Sequence, residues 1–200
     1  MKCESSGCES ESTFQFLRLQ SRHVIHESYM CNDHGIAFLA EFQADKSLAP
    51  GVSANVPGLA QVDFEMIICR NSDEERPARV YLHEIGGTRR IGTAIDSCAW
   101  SALVAQINRH VTTRPVTHTA WAATIRELDG QLENVLLHGL NETDLWFDAI
   151  LRIVRDGRPV SVEVRASDAY TLAVIEDVPI FVAEEVLEMF TDPEGAVAGG

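Results

Sequence analysis

Glu163-Val164-Arg165-Ala166-Ser167-Asp168-Ala169-Tyr170-Thr171-Leu172-Ala173-Val174-Ile175-Glu176-Asp177-Val178-Pro179-Ile180-Phe181-Val182-Ala183-Glu184-Glu185-Val186-Leu187 is the stretch whose reading decides the fold. An apolar strand ends at Val164. Ser167 is positioned to cap a helix by accepting from the exposed amides of the next turn, and Ala169, Leu172 and Ala173 recur at helical spacing. Pro179 cannot continue a helix. Ile180, Phe181 and Val182 then make a short apolar run suited to a buried strand, and a second helix begins at Ala183. The unit reads strand, helix, strand, helix.

The residues upstream extend this pattern. Val62 to Cys69, Arg79 to Glu84 and Arg89 to Ile95 read as strands, with Asn71 to Pro77 a charged turn and Gly86-Gly87 a hairpin turn. Asp96 or Ser97 can cap a helix whose apolar face holds Trp100, Leu103, Val104 and Ile107. A helix from His118 to Leu128 carries Trp121, Ile125 and Leu128 on one stripe and ends at Gly130. Gln131 to Leu140 and Leu145 to Val154 form strands around the turn 141–144, and Asp156-Gly157 turns the chain into a strand from Pro159 to Val164. The expected fold is α+β, a mostly antiparallel or mixed sheet with three or four helices. Cys69 and Cys98 read as ordinary buried cysteines.

These segments resemble the bifunctional nuclease domain family. Its Asp-Ala-Arg-Pro-Ser-Asp-Ala run is matched by Glu163-Val164-Arg165-Ala166-Ser167-Asp168-Ala169, followed by Pro179-Ile180-Phe181-Val182 and Val186-Leu187. A second element, Arg-Pro-x-Thr-His-Asp, is matched by Arg114-Pro115-Val116-Thr117-His118, with Thr119 in place of the aspartate. The family's Glu-Ala after the third strand is replaced by Ala99-Trp100. The resemblance implies degradation of DNA or RNA and a homo-oligomer, a dimer. If either missing acid holds a metal in the family, catalysis here is weakened or lost.

A nuclease must activate a nucleophile, neutralise charge developing on the phosphorus oxygens and protonate the leaving oxygen. Arg114 and Arg165 are the candidate phosphate clamps and His118 the candidate acid or base. In a metal-dependent version Asp168, with Glu163, is the oxygen ligand for magnesium or manganese. Each has a structural alternative: Asp168 as a helix-terminus charge, Arg165 as its ion-pair partner, His118 as a cap. A non-catalytic module that binds nucleic acid or a protein partner is the competing function.

The N-terminal segment, residues 1–42, carries a different chemistry. Cys3 and Cys8 form one pair, Cys31 and His34 another, and Phe14 to Leu19 and His23 to Tyr29 alternate like two hairpin strands between them. Folding the hairpin would join the pairs into one structural zinc site, as in a zinc ribbon. His23 and His26 are rivals for the fourth position. Residues 43–58, with Pro50, Gly51, Pro57 and Gly58, read as a linker, 59–190 as the main domain and 191–200 as a tail.

The formal net charge is -14, which opposes a simple electrostatic grip on nucleic acid. Distribution qualifies this. Seven arginines lie between Arg76 and Arg126 against Glu84 and Asp96, whereas seven acids and no base follow from Glu176 onward. Lys2 and Lys46 are the only lysines, so arginine, suited to bidentate phosphate pairing, supplies nearly all the positive charge. No apolar run has membrane-spanning length and the start lacks the apolar core of a secretory signal, so a cytoplasmic location away from membranes is the expectation.

Overall fold

A computed structural model describes residues 1–44, 56–70, 78–110, 112–141 and 146–191. Residues 45–55 of the expected linker 43–58, the turn 71–77, residues 142–144 of the turn 141–144 and residues 192–200 of the tail 191–200 lie outside the described residues. The rest is α+β, with nine strands and five helices among the described residues.

Strands β1 (Phe14–Gln20) and β2 (His23–Met30) form the expected hairpin, and helix α1 (Asn32–Ala44) follows directly. Then come β3 (Leu59–Arg70), β4 (Ala78–Glu84), β5 (Arg90–Ile95), α2 (Ser97–Ile107) and α3 (Thr117–Glu127). The chain finishes with β6 (Gly130–Asn141), β7 (Trp146–Arg155), β8 (Arg158–Arg165), α4 (Ala166–Glu176), β9 (Ile180–Ala183) and α5 (Glu184–Thr191). The sheet runs β2-β1-β3-β9-β6-β7-β8, with β4 and β5 branching from β3. Among the described residues only β6 and β9 pair in parallel; the other pairings between strands are antiparallel.

β3 is the branch point because different parts of it face different partners. Leu59 to Gln61 pair with β9, Val62 to Ile68 with β4, and Met66 to Arg70 with β1. The N-terminal hairpin therefore shares one sheet with the segments downstream of the linker. Its Leu17 and Leu19 belong to the main core together with Val62, Leu82, Leu103, Leu137 and Leu172.

The alternation expected in β7 is observed: Phe147, Ala149, Leu151 and Ile153 are buried and Asp148 and Arg152 exposed. Asp156 and Gly157 both take positive φ, the twist a two-residue hairpin needs. Asp96 caps α2 by accepting from the Ala99 amide at 2.8 Å.

Three local readings change. Ser167 is not the cap of α4: β8 passes into the helix at Arg165, which takes the cap position, and Ser167 sits buried inside the first turn. Helix α3 does not bury the stripe expected of it, since Ala122 is its buried residue, Trp121 and Ile125 are half-buried and Leu128 is exposed. It ends through Asp129 at φ 58, ahead of Gly130. Cys98 is exposed at the start of α2 rather than buried.

Helix α1 is additional to the expected elements. Its Phe38, Leu39 and Phe42 close a second core over Phe16, Met66, Ile68 and Tyr81. The approach is close because residue 35 is glycine; a Cβ there would meet the Phe14 ring at 2.5 Å. Helix α4 is enclosed on nearly every side, with Ala166, Ala169, Tyr170, Leu172 and Ala173 all buried, the pattern of a helix at the centre of a domain.

Candidate active site and metal centre

The site is built where α2, α3 and α4 begin or pass one another. The β8 strand delivers Arg165 to the start of α4, and Asp168 follows in the first helical turn, where a carboxylate is favoured by the free amides. His118 comes from the first turn of α3. Although 50 positions separate them, His118 Nε2 and Asp168 Oδ1 meet at 3.0 Å. Arg165 bonds the same carboxylate twice, from Nε to Oδ2 at 3.0 Å and from Nη2 to Oδ1 at 3.2 Å, and its Nη1 reaches Asp96 Oδ2 at 3.3 Å.

Burial pushes the Asp168 carboxyl upward, but the hydrogen bonds and charge of Arg165 and His118 outweigh it and hold the group below the usual carboxylate value. An ionised carboxylate can only accept. Facing it, Nε2 carries the hydrogen, so in a neutral imidazole Nδ1 is the lone-pair nitrogen. Arg165 is 68% exposed along its side chain. It spends one N–H from each of its three nitrogens on these carboxylates, which leaves the second hydrogen on each terminal nitrogen for a phosphate oxygen.

These three side chains are part of the lining of a cavity of about 540 Å³. Cys98, Ala99, Ala102 and Ala105 of α2 and Trp121 of α3 also line it, and Ser101, Gln106, His110, Thr112 and Thr117 add polar groups. Two other candidates stand apart from it. The Arg114 side chain is exposed on the loop before α3, whose Thr112 borders the cavity. Glu163, 79% exposed, lies outside the lining and points toward His138, with 3.9 Å between Oε1 and Nε2. Asp96 and the alanine and tryptophan wall were missed as site residues. In the sequence Asp96 reads as a cap and Trp121 as part of an apolar stripe, while Ala102 and Ala105 carry no signal.

A second cluster lies at the N-terminus. Cys3 and Cys8 sit in the turn before β1, Cys31 follows β2 and His34 is in the first turn of α1. One donor atom from each lies within 4.8 Å of the others. Cys8 and Cys31 sulfurs are 3.8 Å apart, and His34 Nδ1 is 3.5 Å from Cys3 and 3.2 Å from Cys31. Four ligands on zinc at about 2.3 Å to sulfur stand roughly 3.8 Å apart along the tetrahedron's edges, so the donor set fits that ion. Backbone hydrogen bonding at Cys31 is the main influence that draws the Cys3 thiol down to about 6, toward the thiolate a metal takes. At Cys31 the backbone contact with His34 favours the thiolate, yet burial and the Cys3 and Cys8 sulfurs move that group upward. His23 and His26 are not in the cluster; His23 bonds Ser21 and Arg109 at the far end of the hairpin.

A model of the bifunctional nuclease domain matches residues 80–193, more than half of the chain. The chain belongs to the bifunctional nuclease domain family. Compared with curated proteins, it matches none. The matched span includes every residue of the cavity lining and excludes the cysteine and histidine cluster. Within this bifunctional nuclease domain, Ala99 lines the cavity, so the acid expected there would have stood in its wall. Thr119 does not line it, and its hydroxyl donates to the Val116 carbonyl at 2.9 Å.

Among the described residues no helix is long and apolar enough to cross a membrane.

Proposed function

We propose that the chain is a phosphodiesterase acting on nucleic acid, with His118, Asp168 and Arg165 as its working centre. The observation that carries this reading is the 3.0 Å contact between His118 and Asp168 in the lining of the cavity. Asp168 holds the imidazole in the tautomer that leaves Nδ1 free to take a proton from an attacking water or hydroxyl. Arg165 offers its remaining N–H groups to the phosphate, where negative charge grows in the transition state. Arg114 on the adjoining loop is the second, outer clamp.

The carboxylates at the cavity are poor ligands for magnesium or manganese. Asp168 accepts from His118 and Arg165, and Asp96 from Arg165 and the Ala99 amide. Glu163 is not at the cavity and adds no ligand there. The N-terminal cluster takes a structural zinc in a zinc-ribbon-like arrangement, by the donor spacing above. A homodimer is favoured by β8, an edge strand that leaves Val160 and Val162 40% and 36% exposed.

A second reading has a specific observation behind it. Ala99 and Thr119 withdraw two acids, and Arg165 is already paired, which favours binding without turnover. Purified protein incubated with plasmid DNA and with RNA, across a magnesium and manganese titration and with EDTA, separates the two. Cleavage that falls about 100-fold or more in His118→Ala supports the enzyme. Cleavage unchanged in that variant overturns this assignment, and retention of nucleic acid without cleavage selects the binding module.

A further inference from the structure

The proposed catalytic groups account for only three of the residues that line the cavity. Beyond His118, Arg165 and Asp168 its lining combines an apolar part, the α2 stripe of Cys98, Ala102 and Ala105, three and four residues apart, and Trp121 of α3, with hydrogen-bonding groups such as Gln106 and His110. Ala102 and Ala105 are half-buried, as is Trp121. A volume of about 540 Å³ falls within the ~300–1,000 Å³ range of small-molecule pockets. Phosphate has no use for the apolar part of this lining. A flat aromatic group does, since alanines leave room for it and an indole stacks on it.

We propose that this cavity is a nucleobase pocket, which takes one unstacked base beside the phosphate held at Arg165 and so makes single-stranded nucleic acid the substrate. The proposal rests on the phosphodiesterase reading of the same site. A base inside a duplex is paired and stacked, and bringing it into a walled cavity requires its extrusion first. A single strand presents the base freely, and stacking on an aromatic side chain tolerates any of the bases.

Charge points the same way. With a net charge of -14, the chain repels a long run of phosphates, and among the described residues lining the cavity the only arginine or lysine is Arg165. Recognition therefore depends on the base more than on the backbone. Affinity for a single strand should fall only shallowly with salt, by a logarithmic slope of about 0.7 for each phosphate contact.

The test is binding of a short fluorescein-labelled oligothymidylate, its oligouridylate counterpart and the duplex of the first with oligoadenylate. It is read by anisotropy in EDTA, with oligonucleotide length checked afterwards. The single strands should bind at least about tenfold more tightly than the duplex, and Trp121→Ala should lose about tenfold or more while Trp121→Phe keeps most of the affinity. Ala102→Leu, which fills the cavity from a half-buried helix position, should lose binding with an unchanged melting temperature. Single-strand binding should also protect Cys98 from alkylation, mapped by peptide mass. Equal affinity for duplex and single strand, or full affinity in both Trp121→Ala and Ala102→Leu, would overturn the pocket. Cleavage by those same variants is scored separately, so loss of the base pocket and loss of the phosphodiesterase reading give different results.

Discussion

Arg22, at the tip of the β1–β2 hairpin, donates from Nη1 to the carbonyl of Ala173 at 2.6 Å. Its Nη2 donates to Val178, and Nε lies 3.6 Å from Asp63. The guanidinium thus closes the C-terminal end of α4, the helix whose first turn presents Asp168. Beside it, Arg109 just past α2 bonds His23 Nε2 at 2.9 Å. The N-terminal hairpin consequently touches the far ends of α2 and α4, two of the three helices that line the cavity.

Arg22→Ala leaves carbonyls at the end of a buried helix without charged donors, at a cost of about 1–3 kcal/mol. The contact with Asp177 adds little, because that carboxylate is 94% exposed. Urea unfolding of the full chain measures the loss. A chain beginning at Leu59 lacks Arg22, Leu17, Leu19 and the β1 partner of β3, and should unfold at lower urea than the full chain. Equal midpoints would show the hairpin to be an appendage.

Acid should destabilise the protein through Asp168. Its carboxyl titrates below the usual value when folded, so its contribution to stability is present above the unfolded value of about 4 and fades as pH falls through the folded one. Asp168→Asn should flatten the decline in thermal stability between about pH 5 and pH 2. It should not abolish that decline, because Arg89 holds Glu84 below its ordinary value as well, by hydrogen bonds and charge that outweigh burial. Thermal melts across that range give the comparison, and parallel curves for the two proteins would remove Asp168 from the account.

Tyr170 and Leu172, both fully buried on α4, separate packing from polarity. The Tyr170 hydroxyl donates to Thr93 Oγ1 at 3.4 Å, long against the usual 2.7–2.8 Å or so for hydroxyl pairs. Tyr170→Phe should therefore cost less than about 1 kcal/mol. Leu172→Ala should cost roughly 2–5 kcal/mol, because the surrounding helices and sheet cannot collapse onto the space. Chemical denaturation of both variants checks the order.

The sequence made the strands legible because alternation and turn residues are local signals; β7 and the Asp156-Gly157 turn behave as their residues require. It made α1 illegible for a different reason. Phe38, Leu39 and Phe42 do have helical spacing, but the core they close is formed by β1, β3 and β4, which lie far from them in the chain. The meeting of His118 with Asp168 was suggested by family motifs, whereas the cavity wall could not be read from the chain. An alanine facing a void and an alanine facing core look identical along a helix, and Trp121 has the same spacing whether it packs or lines.

The last prediction concerns the metal centre and follows from where its ligands sit. Cys3 and Cys8 precede β1, and Cys31 and His34 begin α1, so one ion would tie the first turn of the chain to the helix that covers the second core. Elemental analysis should find about one zinc per chain. Cys31→Ser removes a buried thiolate ligand and should release the ion. Helix α1 would then be left held by Phe38, Leu39 and Phe42 and by Arg90, whose Nη1 donates to the Phe42 carbonyl at 2.9 Å while its guanidinium lies 4.2 Å over the Phe42 ring. These contacts lie in the C-terminal half of α1, so hydrogen exchange should rise most at residues 31–36 and least near Phe42. A strong chelator should reproduce the pattern in the unmodified protein. Metal-free protein with the same protection at residues 31–36 would exclude a structural role for the ion.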